Sequence, residues 1–262
     1  MKNQSSLSEN NLYNKFCLEA ATDDNVFNNF KQNQYYNEIL EHVHPILGEQ
    51  YYEITKNYYP KVLDKINEIK INDSFGNPQM FDYYFGRYSP TTLRYLKVAA
   101  ELNHCFEDIS SYSILEIGGG YGGQSIVSNI LHGYKSWTIV DLPEVVELQR
   151  KYLNKFEYKN INAISFLEDY TNQKYDLIIS NYAFTECNRM VEMEYINKVM
   201  SNNEKIYMTL NFIQTHDDNF KDMLSLDELK NILKIKIFKE LPNTSPNNCI
   251  GLRNNIKDPY TT

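Results

Sequence analysis

The spacing of apolar residues divides the chain into two parts of different texture. Between residues 12 and 110 the apolar side chains recur every three or four positions, which is typical of amphipathic helices. One helix is predicted over residues 58–71. A second is predicted to start at Ser89 and Pro90, because serine is a favoured N-cap and proline suits the first turn. We expect this part to be helical and without strands.

From residue 112 onward short apolar runs alternate with helical patterns. Strands are predicted over residues 113–117, 137–141, 163–167, 175–181, 205–210, 235–241 and 249–253. Helices are predicted over residues 122–132, 143–156, 188–200 and 225–234. Such alternation is typical of a parallel sheet covered by helices on both faces. The last two strands have no helix between them, so an antiparallel hairpin is expected at the edge.

These textures predict the fold class and the domain organisation together. We expect an α/β protein with a Rossmann-like, seven-stranded, mostly parallel sheet that an antiparallel hairpin closes. Residues 1–110 are predicted to form a helical N-terminal extension that acts as a lid, and residues 111–262 a cofactor-binding domain. The length of 262 residues suits one large domain with such an extension.

Composition excludes several classes of protein. The formal net charge of −8 disfavours a nucleic-acid substrate, since nucleic-acid-binding domains usually carry a basic stripe. No apolar run approaches the ~20 residues that span a bilayer. The 4 cysteines, at positions 17, 105, 187 and 249, lack the spacing of a metal site. Together with the lack of a signal peptide, they predict a cytoplasmic protein.

A glycine-rich turn carries the strongest functional signal. Residues 114–123 read Ile-Leu-Glu-Ile-Gly-Gly-Gly-Tyr-Gly-Gly, so a predicted strand leads directly into glycines and then into a helix. Without a Cβ the backbone can approach a ligand closely, and the start of the helix presents free N–H groups. Asp141 ends the next predicted strand, where a carboxylate suits the hydroxyls of a ribose. The turn therefore predicts a nucleoside-containing cofactor.

Two cofactors are compatible with this turn. Gly118, Gly120 and Gly123 match the G-x-G-x-x-G pattern of dinucleotide-binding proteins, so an NAD-dependent oxidoreductase stays an alternative. Glu116, two residues before the first glycine, is unfavourable beside an anionic pyrophosphate. It is favourable beside a sulfonium and an ammonium group, such as those of S-adenosylmethionine.

The sequence also resembles a known family. Residues 116–124, Glu-Ile-Gly-Gly-Gly-Tyr-Gly-Gly-Gln, resemble the first motif of Rossmann-like S-adenosylmethionine-dependent methyltransferases. Residues 89–96, 140–145 and 180–186 narrow the resemblance to the sugar O-methyltransferases of bacterial surface-polysaccharide gene clusters. The resemblance covers about residues 25–253.

This resemblance implies a role for each matching position. The glycine turn and Glu116 would hold the methionine part of the cofactor, Asp141 the ribose and Leu142 the adenine. The expected cofactor-binding residues are Glu116, Gly118, Gly119, Gly120, Tyr121, Asp141, Leu142, Asp169, Tyr170 and Asn181.

Methyl transfer to a sugar hydroxyl calls for a general base, because a protonated hydroxyl is a poor nucleophile. Open α/β sheets bind ligands at the carboxyl ends of their strands. Three residues predicted to follow such ends are candidates, namely Glu186, His216 and Tyr182. Glu186 could instead begin the next helix, and a histidine in a loop is often simply solvated.

The segment His216-Asp217-Asp218 raises the question of a metal ion. Adjacent carboxylates suit Mg²⁺. Neighbouring aspartates in a loop are usually solvated, however, so we expect no metal site.

A tyrosine- and arginine-containing run precedes the cofactor domain. We expect Tyr88, Arg87 and Arg94 to contact the acceptor, with an arginine meeting a phosphate or a carboxylate. The alternative is that these residues pack within the helical extension.

Taken together, the residues and the resemblance predict an S-adenosylmethionine-dependent O-methyltransferase acting on a sugar of a surface-polysaccharide precursor. The partner would be a small-molecule or glycan acceptor, with a homodimer as an open alternative for the assembly. Another small-molecule or protein acceptor, an NAD-dependent oxidoreductase and a cofactor-binding subunit without catalytic activity stay as alternatives.

Overall fold

The computed structural model describes residues 6–7, 11–165, 173–213, 222–253 and 257–261. Within these residues, seven strands form one sheet and two short strands form a separate hairpin. The short strands are β1 (Phe81–Tyr83) and β2 (Gly86–Tyr88). The sheet contains β3 (Ser113–Ile117), β4 (Ser136–Asp141), β5 (Ile161–Ser165), β6 (Leu177–Asn181), β7 (Ile206–Leu210), β8 (Lys236–Lys239) and β9 (Cys249–Arg253).

The sheet is mostly parallel and ends in an antiparallel pair. Its strand order is β5-β4-β3-β6-β7-β9-β8. The pairs among β3 to β7 are parallel, whereas β9 runs antiparallel to both β7 and β8. The fold class predicted from the sequence is therefore confirmed, including the closing hairpin. The chain order reverses at β3, which has β4 on one side and β6 on the other.

Helices cover the sheet and form most of the N-terminal part. The α-helices are α1 (Asn11–Thr22), α2 (Asp24–Phe27), α3 (Gln34–Tyr36), α4 (Pro45–Tyr58), α5 (Pro90–Phe106), α6 (Gly123–Leu131), α7 (Pro143–Leu153), α8 (Arg189–Tyr195) and α9 (Leu226–Leu233). Tighter 3-10 turns lie at Phe30–Gln32, Pro60–Lys65, Glu68–Asp73, Ile109–Ser111 and Ala183–Glu186, and wider π-helical turns at Asn37–Glu41 and Ile196–Met200. Among the described residues, none of the helices combines the length and the apolar character needed to cross a bilayer.

Two predictions for the N-terminal part are wrong. The hairpin of β1 and β2 lies where no strand was expected, because strands of three residues are too short to show a period of two. Two 3-10 turns replace the helix expected over residues 58–71. Pro60 explains the interruption, since it lacks the N–H that would continue α4. By contrast, the Ser89 side chain does cap α5, accepting a hydrogen bond from the Thr92 N–H (3.1 Å).

Alternation along β3 divides the core between the two faces of the sheet. Ile114 packs on the face that the N-terminal helices cover, and Leu115 and Ile117 pack on the other face. All five residues of β3 are buried, as expected for a central parallel strand. This central position fixes the glycine turn that follows the strand.

A buried polar cluster joins the N-terminal part to the sheet domain. The side chain of Asn72 donates to the hydroxyl groups of Thr92 (2.7 Å) and Tyr121 (3.0 Å). Its backbone carbonyl accepts from Tyr152 Oη (2.9 Å) and Lys31 Nζ (3.1 Å). Buried polar groups rigidify a core when all of them find partners. The extension is therefore docked firmly on the sheet domain.

Candidate active site

A cavity of about 510 Å³ opens at the carboxyl ends of β3, β4, β6 and β7. This edge of the sheet, next to the point where the strand order reverses, is where open α/β folds bind ligands. One side of the cavity, which we call the floor, consists of Gly118, Gly120, Asp141 and Asn181 at the strand ends. The opposite side, which we call the roof, consists of Arg94 and of those residues in the segment 38–51 that line the cavity.

The glycine turn is close-packed from both sides. Gly118 and Gly120 have positive φ angles of 72° and 56°, which favour glycine. A Cβ added at Gly118 would lie 2.1 Å from Cβ of Ala183, and one added at Gly120 would lie 2.8 Å from Cδ2 of Leu40. Backbone at these positions is thus open to the cavity but leaves no room for side chains.

Asp141 is held by the glycine turn itself. Its Oδ2 accepts from the Gly119 N–H (3.0 Å) and from Gln149 Nε2 (2.8 Å), and its Oδ1 accepts from the Leu142 N–H (2.9 Å). Gln149 also donates to the Gly120 carbonyl (2.8 Å), so one buried amide joins the turn and the carboxylate. Because a carboxylate oxygen accepts two hydrogen bonds, Oδ1 keeps a lone pair for a ligand hydroxyl. Burial raises the pKa of Asp141 to about 6.

Glu116, which we expected to contact the cofactor, does not line the cavity. Its side chain is 2% exposed and lies below the turn, outside the cavity lining. There it accepts a hydrogen bond from Trp137 Nε1 (2.9 Å) on the neighbouring strand. Burial raises the pKa of Glu116 to about 8, against the lowering effect of this hydrogen bond. Because side chains of β3 alternate between the two faces of the sheet, the carboxyl group enters one buried face, beside Trp137.

Three further expected cofactor residues also lie outside the cavity lining. Tyr121 is fully buried, with the ammonium of Lys31 lying 3.9 Å from its ring centroid. Leu142 is half-buried against the core, and Gly119 contributes its N–H to Asp141. The glycine turn before α6 directs the Tyr121 ring away from the ligand edge and into the core.

The far wall of the cavity follows β6 and β7. Asn181 Oδ1 accepts from Thr209 Oγ1 (3.2 Å), and Glu186 Oε1 accepts from Asn211 Nδ2 (2.8 Å). Burial raises the pKa of Glu186, while the hydrogen bond from Asn211 lowers it. Parallel strands end at one edge, so their following residues meet there although they are distant in sequence.

Tyr182 lines the same wall in an unusual backbone conformation. Its φ of 70° is rare outside glycine and often marks functional sites. Its hydroxyl donates to the buried carboxylate of Glu240. Burial raises the pKa of Tyr182 well above its usual value, so the phenol keeps its proton at neutral pH. This arrangement disfavours Tyr182 as the general base.

The roof differs from the lid that the sequence suggested. Arg94 does line the cavity, with its guanidinium 5.6 Å and 5.9 Å from the ring centroids of Tyr95 and Tyr182. Arg87 is exposed on the small hairpin, and Tyr88 is fully buried with its hydroxyl donating to the Ile66 carbonyl (3.3 Å). Neither Arg87 nor Tyr88 lines the cavity, because the hairpin packs beside α4 and not over the sheet edge.

Part of the expected site lies outside the described residues, namely Asp169, Tyr170 and His216 with its neighbours Asp217 and Asp218. Within the part of the chain that the structure describes, no three histidine, cysteine or carboxylate side chains are grouped to hold a metal ion.

Several cavity residues were not singled out from the sequence. The roof contributes Glu38, Leu40, His42, His44 and Tyr51, and the carboxyl edge contributes Asn211, Thr244 and Asn248. The sequence offered one sign that the roof segment contributes to the site: His42 and His44, two of the five histidines in the chain, are separated by a single residue. The helical spacing of apolar residues marks Leu40 only as an apolar position. Its contact with the glycine turn could not be predicted from the sequence.

Comparisons with known proteins give limited likenesses. No family model matches the chain. Over 71 residues it is 31% identical to an uncharacterized protein of Methanocaldococcus jannaschii, a stretch that covers 26% of this chain and 19% of that protein. The chain thus spans only about a fifth of the curated relative that it matches.

Similar solved structures include three methyltransferases. A candidate sarcosine dimethylglycine methyltransferase from Galdieria sulphuraria has a TM-score of 0.44 and 21% identity, over 57% of this chain and 64% of that one. Mitomycin 7-O-methyltransferase MmcR has a TM-score of 0.44 and 14% identity, over 63% of this chain and 55% of that one. Phosphoethanolamine N-methyltransferase 2 of Haemonchus contortus has a TM-score of 0.43 and 16% identity, over 55% of this chain and 38% of that one. These likenesses assign neither a cofactor nor a substrate to the chain.

Proposed function

We propose that the protein transfers a methyl group from S-adenosylmethionine to a sugar hydroxyl of a surface-polysaccharide precursor. The observation that carries the proposal is the floor: the glycine turn after β3 and Asp141 at the end of β4 line one cavity and are joined by Gln149. This pairs close backbone approach with a carboxylate beside it, the two features that a nucleoside cofactor of this kind requires.

The residues present fit this cofactor. Gly118 and Gly120 would pass under its methionine part, and Asp141 would accept hydrogen bonds from the ribose hydroxyls. Glu38, Asp141 and Glu186 line the cavity, and their negative charge suits a ligand that carries a sulfonium and an ammonium group. When bound, the cofactor supplies an activated methyl group, and the protein aligns the acceptor with it.

The same carboxylates count against the dinucleotide alternative. An NAD pyrophosphate would add two negative charges to a lining that already holds three carboxyl groups, with Arg94 as the arginine in the described lining. Like charges at close range cost binding free energy. The G-x-G-x-x-G match at Gly118, Gly120 and Gly123 therefore does not decide the cofactor.

The acceptor side of the cavity supports a polyhydroxylated ligand. Amide and hydroxyl side chains from Asn211, Thr244 and Asn248 line it next to the rings of Tyr51 and Tyr182. Polar groups that fix orientation beside aromatic surfaces are typical of small-molecule sites. The sequence resemblance to sugar O-methyltransferases points to the same class of acceptor.

We further propose that residues 38–51 act as a lid and that Arg94 meets an anionic group of the acceptor. Among the described residues Arg94 has no carboxylate within 4.0 Å, so its charge is available to a ligand. A nucleotide-linked or acidic sugar would supply the matching charge.

Calorimetry with S-adenosylhomocysteine and with NADH tests the cofactor first. We expect S-adenosylhomocysteine to bind and NADH to bind at least about a hundredfold more weakly, which corresponds to roughly 3 kcal/mol. Labelled S-adenosylmethionine is then incubated with a panel of free and nucleotide-linked sugars, with a phenol and a protein substrate as controls. Methyl incorporation only into the controls would contradict the sugar assignment, and tight NADH binding would contradict the cofactor.

A further inference from the structure

We infer that His42, in the roof, accepts the proton of the acceptor hydroxyl during methyl transfer. This inference rests on the proposed function and names the general base for it. Among the residues that the sequence suggested for this role, His42 was absent, and the roof brings it to the cavity.

The position of His42 is fixed by its neighbours on the same segment. Leu40, two residues earlier, lies so close to the glycine turn that a Cβ at Gly120 would be 2.8 Å from its Cδ2. The intervening backbone is the end of a π-helical turn, Asn37–Glu41, a rare conformation that is frequent at functional sites. His42 therefore extends into the cavity from a segment that already contacts the expected cofactor position.

A single hydrogen bond determines which ring nitrogen of His42 carries the hydrogen. Nδ1 lies 3.2 Å from the backbone carbonyl of Asn37. A carbonyl oxygen can only accept, so Nδ1 is the donor and, in the neutral ring, Nε2 holds the lone pair. A backbone carbonyl that orients a histidine in this way prepares the other nitrogen to accept a proton.

The surroundings of His42 keep the ring neutral. Partial burial of the ring lowers its pKa, and the guanidinium of Arg94 lowers it further, while the Asn37 carbonyl raises it. Besides Arg94, the titratable groups that line the cavity with His42 are Glu38, His44 and Tyr51 in the roof, Tyr13 on α1, Asp141 at the end of β4, and Tyr182 and Glu186 after β6. At pH 7 a neutral imidazole is ready to accept a proton, which is the state that a general base needs.

Tyr182 and Glu186, the two earlier candidates for the general base that the structure describes, are less suited to this role. The phenol of Tyr182 keeps its proton and donates a hydrogen bond to Glu240. Glu186 has one oxygen engaged by Asn211 at 2.8 Å, and it lies on the wall built by the strand ends.

The proton and electron pairs balance without a further reactant. The acceptor oxygen forms a bond to the methyl carbon while the bond between that carbon and the sulfonium sulfur breaks, leaving a neutral thioether. The hydroxyl proton moves to Nε2 of His42, and the resulting imidazolium returns it to solvent after product leaves.

The first test needs no acceptor. The histidine pKa values are measured by NMR in protein labelled at histidine, once with S-adenosylmethionine and once with S-adenosylhomocysteine. The two ligands differ by the methyl group and one positive charge, so a ring next to the methyl group senses the difference. We expect the pKa of His42 to be lower by roughly half a unit in the S-adenosylmethionine complex, as for charges about 6 Å apart in water. His104, whose ring contacts the Asp258 carbonyl, is the matched control and should not shift.

The second test is kinetic and uses the sugar of the panel that accepts methyl best. His42→Asn can still donate to the Asn37 carbonyl, so the loop keeps its anchor. We expect kcat to fall by about 10²–10⁴-fold and the acidic limb of the profile of kcat/KM against pH to disappear. The binding of S-adenosylhomocysteine should change by less than about twofold. His104→Asn, the matched control, should keep both kcat and the acidic limb.

The outcomes separate this inference from the proposed function. If neither S-adenosyl ligand binds, the proposed function fails and the inference fails with it. If both bind but the pKa of His42 is the same in the two complexes, the inference alone is wrong. An acidic limb that persists in His42→Asn and disappears in Glu186→Gln would assign the proton to Glu186.

Discussion

The floor and the roof of the cavity are built in different ways. The floor consists of residues that end or closely follow buried strands, and sheet hydrogen bonds fix their positions relative to one another. The roof combines the π-helical turn Asn37–Glu41 with the first turns of α4 and with Arg94 on α5, and its lining residues His42 and His44 are exposed. Its link to the floor is packing of Leu40 on the glycine turn and docking of α5 on α6.

This difference assigns different tasks to the two regions. A floor fixed by the sheet can hold a cofactor with little reorganisation, since its donors and acceptors are already placed. No residue of the π-helical turn Asn37–Glu41 in the roof is buried, so this part of the roof can open at lower cost in free energy. We therefore expect substitutions in the floor to weaken cofactor binding and substitutions in the roof to affect the acceptor.

The largest effect is expected from Gly118→Ala in the floor. The added Cβ would lie 2.1 Å from Cβ of Ala183, at a φ of 72°. We expect the affinity for S-adenosylhomocysteine, measured by calorimetry, to fall by at least about a hundredfold, because the turn must move to relieve the clash. Gly133→Ala is the matched control, since its φ is 73° and an added Cβ meets nothing within 4 Å. Equal losses in both variants would mean that backbone strain, and not the floor, is responsible.

Asp141→Asn should weaken the binding of S-adenosylhomocysteine by about 10–100-fold, as expected for loss of a charge-assisted hydrogen bond. Because the pKa of Asp141 is about 6, the wild-type affinity should also fall as the pH drops below 6, by up to about tenfold per unit. The variant should lack this dependence. Asp176→Asn, at the amino edge of the sheet where Asp176 accepts from the Ser113 N–H, is the control. Unchanged affinity in Asp141→Asn would contradict the proposal that Asp141 binds the ribose hydroxyls.

Arg94→Gln tests the roof. We expect KM for an anionic sugar acceptor to rise by roughly tenfold, since a charge-assisted contact is lost, with less than about twofold change in cofactor affinity. Arg87→Gln is the control, because Arg87 lies exposed on the hairpin, away from the cavity. A rise in KM for Arg87→Gln alone would mean that the hairpin, and not the roof, contacts the acceptor. A loss of cofactor affinity in Arg94→Gln would mean that Arg94 contacts the cofactor.

Glu116→Gln should have the smallest effect on ligands. The glutamine oxygen can still accept from Trp137, so cofactor affinity should change by less than about twofold. Stability should change with pH instead. The folded-state pKa of about 8 lies above that of the unfolded chain, so the folded protein binds the extra proton between these values. The free energy of unfolding of the wild type therefore falls as the pH rises from about 4.5 to 8.

Urea unfolding at pH 5 and pH 8 measures this difference. The wild type should lose up to a few kcal/mol more than Glu116→Gln between the two pH values. If the two proteins lose the same stability, Glu116 does not titrate in this range. A large loss of cofactor affinity in the variant would mean that Glu116 does contribute to cofactor binding.

Much of the sheet domain was predictable, because its signals are local. The strands at 113–117 and 249–253 agree residue for residue with the predictions, and the others differ by a few residues at their ends. Gly118 and Gly120 follow one such strand and Asp141 ends the next, so their meeting at one edge could be inferred from parallel pairing. The orientations of Glu116 and Tyr121 could not, since they depend on which face of the core each side chain enters.

The sequence alone determined the α/β class, the order of strands and helices, and the glycine turn with an acidic residue at the end of the next strand. These properties follow from hydrophobic period and from the conformations that only glycine adopts readily, both of which are encoded within a few residues. Only the tertiary structure decided that Arg94 lines the cavity and Arg87 does not, and that Leu40 and His42 lie over the glycine turn. Those contacts join residues about 80 positions apart, where no local pattern specifies how one segment packs on another.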